Sequence, residues 1–163
     1  GCGIGRMTKM LAEHAQYVEG IDMSPTMIAK ARENIKGYDN IALTLGKITD
    51  PDYNPGRFDL AFESIVLLHI LNPDELRKTA ERMKERSDKI FICEHTFEGE
   101  NFLISRYSML RKPEEYEALF APYQLVKAKT HICAGDTFTM MLFEKPASQT
   151  PDTDLKKPNY LYI

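Results

Sequence analysis

Three glycines fall within the first five residues, Gly1-Cys2-Gly3-Ile4-Gly5, and the chain then runs straight into a helical pattern. Glycine admits tight left-handed turns and lets a ligand approach the main chain closely. A helix start adds free N–H donors at the same place. Asp22 follows 21 positions after Gly1, at the end of the next expected strand. An acidic side chain there can accept hydrogen bonds from both hydroxyls of a ribose; Asp22 also fits a plain helix-entry role beside Ser24. The loop differs from two familiar nucleotide loops. A dinucleotide fingerprint needs glycine at its first, third and sixth positions, whereas Arg6 stands sixth and Gly5 comes one residue early. The Gly-Lys-Ser/Thr ending of a phosphate-cradling loop is absent.

Histidine suits proton transfer near neutral pH. His69 follows one expected strand and Glu94-His95 follows another, both at the edge where ligands of open α/β sheets bind. Each equally fits a structural reading: His69 at a loop–helix junction, Glu94-His95 partly solvated. Glu63 and Ser64 end the strand before His69 and face the same edge, while His14 and His131 look like ordinary helix and strand positions. Phe97, Phe102, Tyr107, Tyr116, Phe120 and Tyr123 give the 97–123 stretch an aromatic character that suits a helix packed on a sheet.

The elements that must position these groups alternate, which marks a parallel α/β sheet. A helix is expected from Arg6 to Gln16, a strand from Tyr17 to Ile21, and a helix capped by Ser24 with Pro25 in its first turn, ending at Gly37. Met27, Ile28, Ala31 and Ile35 form its apolar face. Strands follow at Ile41 to Leu45 and, beyond an Asn54-Pro55-Gly56 turn, Phe58 to Ser64. Asn72-Pro73-Asp74-Glu75 starts a helix with Leu76, Ala80 and Met83 inside and Lys84 and Arg86 at its end. Lys89 to Cys93 is a strand, and Pro113 opens a helix to Phe120. Gln124 to His131 and Thr137 to Glu144 are joined by so short a turn, Ala134-Gly135-Asp136, that they must pair antiparallel. Residues 146–163 read as a tail, disordered or packed across the surface, leaving one domain over 1–145.

The 163 residues carry 43% hydrophobic and 28% charged residues, an ordinary globular balance that supports one sizeable core. The formal charge of −3 and the lack of a long basic run argue against a nucleic-acid partner. Cys2, Cys93 and Cys133 are odd in number and far apart, which argues against a disulfide framework or a cysteine metal site and for a reducing, cytoplasmic setting. No apolar run reaches the ~20 residues of a membrane helix.

Gly1-Cys2-Gly3-Ile4-Gly5, then Gly20-Ile21-Asp22-Met23-Ser24-Pro25 through Met27 and Ala31-Arg32, resemble the first two motifs of class I S-adenosylmethionine (SAM)-dependent methyltransferases. The resemblance extends to about Lys145, including Phe58-Asp59-Leu60-Ala61-Phe62 and the closing hairpin. It implies a Rossmann-like α/β sheet in the order 3-2-1-4-5-7-6, with strand 7 antiparallel. It implies that Gly1, Gly3 and Gly5 line the methionine part of SAM, Asp22 holds the ribose and Met23 lies against the adenine. Glu63 is a further cofactor-facing candidate. After the strand-3 glycine the family often has an acidic residue for the adenine amino group; here Gly46-Lys47-Ile48 stands there, and lysine has only donors. Lys47 and Ile48 line that end, so the adenine contact falls to backbone, to Asp50, or to nothing. His69, His95 and Glu94 are the candidates for catalysis, and no metal is expected.

In the family, strand 1 runs directly into the glycine loop and carries an acidic residue two positions before the first glycine. The sequence begins at Gly1, so central strand 1 is expected to be missing, leaving strands 2 and 4 without their shared neighbour and the chain a fragment that folds or binds cofactor poorly. The expected activity is methyl transfer to a small molecule, through an O-, N- or C-nucleophile. An Asn-Pro-Pro-Tyr segment is absent, which disfavours the members that methylate adenine or glutamine amides. Two other readings stay open: a non-catalytic binding or scaffold protein on this fold, and a nicotinamide or nucleotide-sugar oxidoreductase, against which Arg6 argues.

Overall fold

The computed structural model describes residues 1–54, 56–99, 102–147 and 160–162. Pro55 of the expected turn and residues 148–159 and 163 of the expected tail lie outside the described residues. In chain order the elements are α1 (Arg6–Ala12), β1 (Tyr17–Asp22), α2 (Pro25–Asn34), β2 (Ile41–Leu45), β3 (Phe58–Ser64), a 3-10 turn (Leu67–His69), α3 (Pro73–Arg86), β4 (Ser87–His95), β5 (Phe102–Ser105), β6 (Ser108–Leu110), α4 (Pro113–Phe120), β7 (Gln124–Cys133), β8 (Asp136–Glu144) and β9 (Tyr160–Tyr162).

The helices start where local chemistry dictates. Ser24 Oγ accepts the Met27 N–H at 3.3 Å and Pro25 takes the first position of α2. Asn72 Oδ1 accepts the N–H groups of Asp74 and Glu75 at 2.9 and 3.1 Å, opening α3, whose first turn is acidic and last turn basic. Leu76, Ala80 and Met83 are buried on one stripe of α3, and Leu76 and Met83 each contribute about 1.5–3 kcal/mol by leaving water. Helix α1 ends at Ala12, four residues short of the expected Gln16. Asn40 explains the stop: its side-chain amide donates to the carbonyls of Ala12 and Ala15, both at 2.9 Å, capping a chain that has already turned.

Seven strands form one sheet in the order β2-β1-β9-β3-β4-β8-β7. β1–β2 and β3–β4 are parallel, and β8 runs antiparallel to β4 and β7. This is the expected order with one correction. The central position is not empty: β9, from the segment read as a tail, lies there parallel to both neighbours, with Val18↔Leu161 on one side and Leu60↔Leu161 on the other. The physical reason is the one that made a gap costly: the facing backbone groups of β1 and β3 require partners. Beyond the end of β9, the Gly1 amine and the Cys2 N–H both donate to Ile21 O, at 2.6 and 2.8 Å.

Strand parity splits the core between the two faces of the sheet. Ile21, Ala61, Ile90 and Ile92 join Met83, Tyr116 and Phe120 on the α3–α4 face. Val18 and Phe62, with Phe91 packed against them, join Cys2 and Ile28 on the α1–α2 face. The small β5–β6 hairpin was not expected; it lies between β4 and α4 in the aromatic stretch.

Candidate active site

A cavity of about 700 Å³ opens at the C-terminal ends of β1, β2 and β3, a size that suits a cofactor together with a small second ligand. One wall is the glycine loop with Asp22 and Met23; the opposite wall is the 65–71 segment that carries His69.

The first wall is built from backbone. Gly3 and Gly5 have φ of +54° and +78°, in the left-handed region, and a Cβ on Gly3 would meet nothing within 4 Å, so the loop leaves open space above its amides. Asp22 Oδ2 accepts the Gly3 N–H at 2.8 Å and Oδ1 accepts the Ser24 N–H at 2.9 Å. These bonds fix the carboxylate against the loop while each oxygen keeps a lone pair for a hydroxyl. Met23 is 67% exposed although it lines the cavity, leaving an apolar, polarizable side chain free to take a flat ring. Burial pushes the Cys2 thiol up to about 11, which removes it as a nucleophile. Together these features fit SAM: ribose acceptors, a ring platform and a loop that a ligand can approach. Gly1, Gly3, Lys47, Ile48 and Glu63 also line the cavity, whereas Gly5 lies beneath it, its Cβ position 3.2 Å from Ala31.

Asp50 is engaged elsewhere. Its Oδ2 accepts the Lys47 N–H at 2.7 Å and so holds the turn after Gly46. Lys47 reaches across to α3 instead, where its Nζ lies 2.8 Å from Glu75 Oε1, and that carboxylate raises the lysine pKa. Glu75 thus brings an acidic group to the wall where the loop lacks one, a contact between residues 28 apart in sequence that spacing did not signal.

On the opposite wall, His69 Nδ1 lies 3.1 Å from Tyr107 O and 2.9 Å from Ser108 Oγ. A carbonyl oxygen only accepts, so the Tyr107 contact is a hydrogen bond in the tautomer with the proton on Nδ1, which leaves Nε2 free to accept one. The other two catalytic candidates do not line the cavity. β4 runs on through Glu94 and His95, which therefore point to opposite faces. His95 stacks on Phe138 at 5.2 Å and its Nε2 lies 3.5 Å from Asp136 Oδ1. Glu94 is fully buried: Oε1 accepts the N–H groups of Val66 and Leu67 at 3.0 and 2.7 Å, and Oε2 that of Leu68 at 3.2 Å. Neither residue lines the cavity.

Glu63 sits between cavity and core. Its Oε2 shares the Val66 N–H with Glu94, at 3.1 Å, and its buried Oε1 meets no donor among the described residues. Burial pushes both carboxyls above their ordinary 4.5; the charge of Glu94 drives Glu63 further up, whereas the Glu63 contact and the three amides pull Glu94 back. Of the two, Glu63 is pushed further toward its protonated form. Sequence inspection missed Ser108, Arg111 and Glu75 as site-building residues, because each acts across a long sequence separation.

A methyltransferase-domain family model matches residues 1–87. Phosphoethanolamine N-methyltransferase 1 of Arabidopsis thaliana is 31% identical over 150 residues, covering 87% of this chain and 29% of that protein. A 23S rRNA (uracil(1939)-C(5))-methyltransferase of Marinomonas sp. (strain MWYL1) is 40% identical over 55 residues, 32% of this chain and 12% of that protein. The chain thus spans less than a third of the length of either relative. Among solved structures, 1,6-didemethyltoxoflavin-N1-methyltransferase of Burkholderia thailandensis, with bound 1,6-didemethyltoxoflavin and S-adenosylhomocysteine (SAH), superposes with a TM-score of 0.75 at 20% identity, covering 89% of this chain and 68% of that one; this is a likeness of fold.

Proposed function

This chain belongs to the class I SAM-dependent methyltransferases, and from that premise we propose that it transfers the methyl group of SAM to a small molecule, with His69 as the general base. The observation that carries the reading is the single cavity faced by the Asp22 wall on one side and His69 on the other. The relative that methylates phosphoethanolamine and the neighbour that holds SAH support it.

Bound in the cavity, SAM supplies a methyl group on a positively charged sulfonium. Asp22 accepts from the ribose hydroxyls, Met23 backs the base, and Glu75, held by Lys47, is the acceptor for its amino group. As the acceptor's O, N or C atom bonds to the methyl carbon, the methyl–sulfur bond breaks and its electron pair stays on sulfur, leaving SAH; His69 Nε2 takes the proton that the acceptor loses. Proximity of the two walls does the remaining work of alignment.

A small molecule is favoured over nucleic acid because the lysine on the cavity wall is already paired with Glu75 and the chain is acidic overall, at −3. No described helix is long and apolar enough to cross a membrane. Three free thiols fit a reducing, cytoplasmic setting.

The test is transfer of label from methyl-labelled SAM to a panel of small amines, phenols and thiols, with ribosomal RNA as a parallel substrate. Label on a small molecule supports the reading. Label on RNA alone replaces the acceptor class, and SAH binding without any transfer leaves the binding or scaffold alternative.

A further inference from the structure

The turn that carries His69 is gripped at both ends by buried charges. At its amino end, Glu94 accepts the N–H groups of Val66, Leu67 and Leu68. These are the unpaired donors that begin a helical turn, and a carboxylate suits them electrostatically. At its carboxyl end, Arg111 donates from its two terminal nitrogens to Leu67 O at 3.1 Å and Ile70 O at 2.7 Å. Glu94 is fully buried and Arg111 is 6% exposed, so neither charge is weakened by water.

Arg111 also joins the turn to its neighbours. It follows β6 directly, its backbone bridges Thr96 at the end of β4, and Phe97 N–H donates to Arg111 O at 3.3 Å. The same hairpin supplies both groups against His69 Nδ1, the Tyr107 carbonyl and the Ser108 hydroxyl. Tyr116, also fully buried, places its hydroxyl 3.5 Å from Glu94 Oε2.

We propose that Glu94 and Arg111 are positioning residues: a buried clamp that fixes the His69 turn against the β5–β6 hairpin and thereby holds the imidazole in the Nδ1–H form, with Nε2 as the base. Neither touches substrate. Each acts through the place of the turn, as groups behind a reactive side chain do when their own contacts orient it. The inference rests on the reading of His69 as the base, but its test needs no methyl acceptor.

The chain has four histidines, so their ring nitrogens can be followed individually by nitrogen-15 NMR. In its neutral form, wild-type His69 is expected as the Nδ1–H tautomer. In Glu94→Gln, the side chain presents a donor to amides that need an acceptor; in Arg111→Met, both carbonyl contacts go. In both, His69 is expected to shift to a tautomer mixture richer in Nε2–H, with His14, His95 and His131 unmoved and SAH affinity within about twofold, a factor worth only a few tenths of a kcal/mol. Arg111→Lys, which keeps the charge and one carbonyl contact, is expected to recover part of the bias. A folded Glu94→Gln or Arg111→Met protein whose His69 keeps the Nδ1–H form overturns the clamp. If Glu94→Gln does not fold, Arg111→Met and Arg111→Lys decide alone. Loss of the clamp leaves the base reading intact, because that reading fails only if His69→Ala still transfers methyl groups at the wild-type rate.

Discussion

The two walls of the cavity are made in different ways. The cofactor wall is a matter of backbone: left-handed glycines, a strand that ends at Asp22, and a carboxylate tied to amides 19 and 2 residues away. The His69 wall is a matter of side chains from remote elements: Glu94, Arg111 and Ser108 reach the His69 turn across 26 to 44 residues. A wall made of backbone specifies one ligand and tolerates change around it. A wall made of distant side chains can alter its ligand while the backbone of the first wall stays in place.

If the walls are separable, substitutions on one should spare the other. The largest effect is expected from His69→Ala, which removes the base and lowers methyl transfer by about 10²- to 10⁴-fold while SAH affinity, read by calorimetry, changes less than about twofold. A parallel loss of SAH binding would break the separation. Asp22→Ala removes the ribose acceptors together with the anchor of the Gly3 and Ser24 amides. At about 1.5 kcal/mol for each of the two ribose hydrogen bonds, the lower end for bonds to a charged group, SAH binding weakens about 100-fold, and the His69 tautomer stays as it was.

Gly5→Ala sharpens the comparison within the backbone wall. Its φ of +78° strains an alanine and the new Cβ would lie 3.2 Å from Ala31; the cost is about 1–3 kcal/mol, seen as a Tm lower by several degrees. The smallest effect belongs to Glu63. Its native pKa is raised by burial and by the charge of Glu94, so the folded state binds a proton that the unfolded state releases above about 4.5. Stability from this group is full below that pH and declines as pH rises toward the raised native value. Glu63→Gln, which carries its hydrogens at every pH, is expected to flatten that decline in denaturant titrations from pH 5 to 8. An unchanged slope would place the proton elsewhere.

The same contrast explains what was legible in the sequence. The glycine loop, Asp22, the Ser24 and Asn72 caps and the closing hairpin are local signals, and the structure forms each where expected. The end of α1 was misplaced because Asn40, 28 residues beyond Ala12, decides it. The central strand is expected to be missing, because three residues in a proline-rich polar segment carry little pattern of their own; the structure fills the place with β9, paired to the edges of β1 and β3. Glu94 and His95 were read as one pair at the ligand edge, whereas strand parity sends them to opposite faces. His69 is a candidate by position alone; the two groups against its Nδ1, the Tyr107 carbonyl and the Ser108 hydroxyl, come from a hairpin hidden in an aromatic stretch.

Calorimetric titration of SAH into the chain and into Asp22→Ala and His69→Ala variants tests the central claim most directly. The account predicts one site per chain, weakened about 100-fold by Asp22→Ala and left within about twofold by His69→Ala. Absence of binding, or binding indifferent to Asp22, would contradict it.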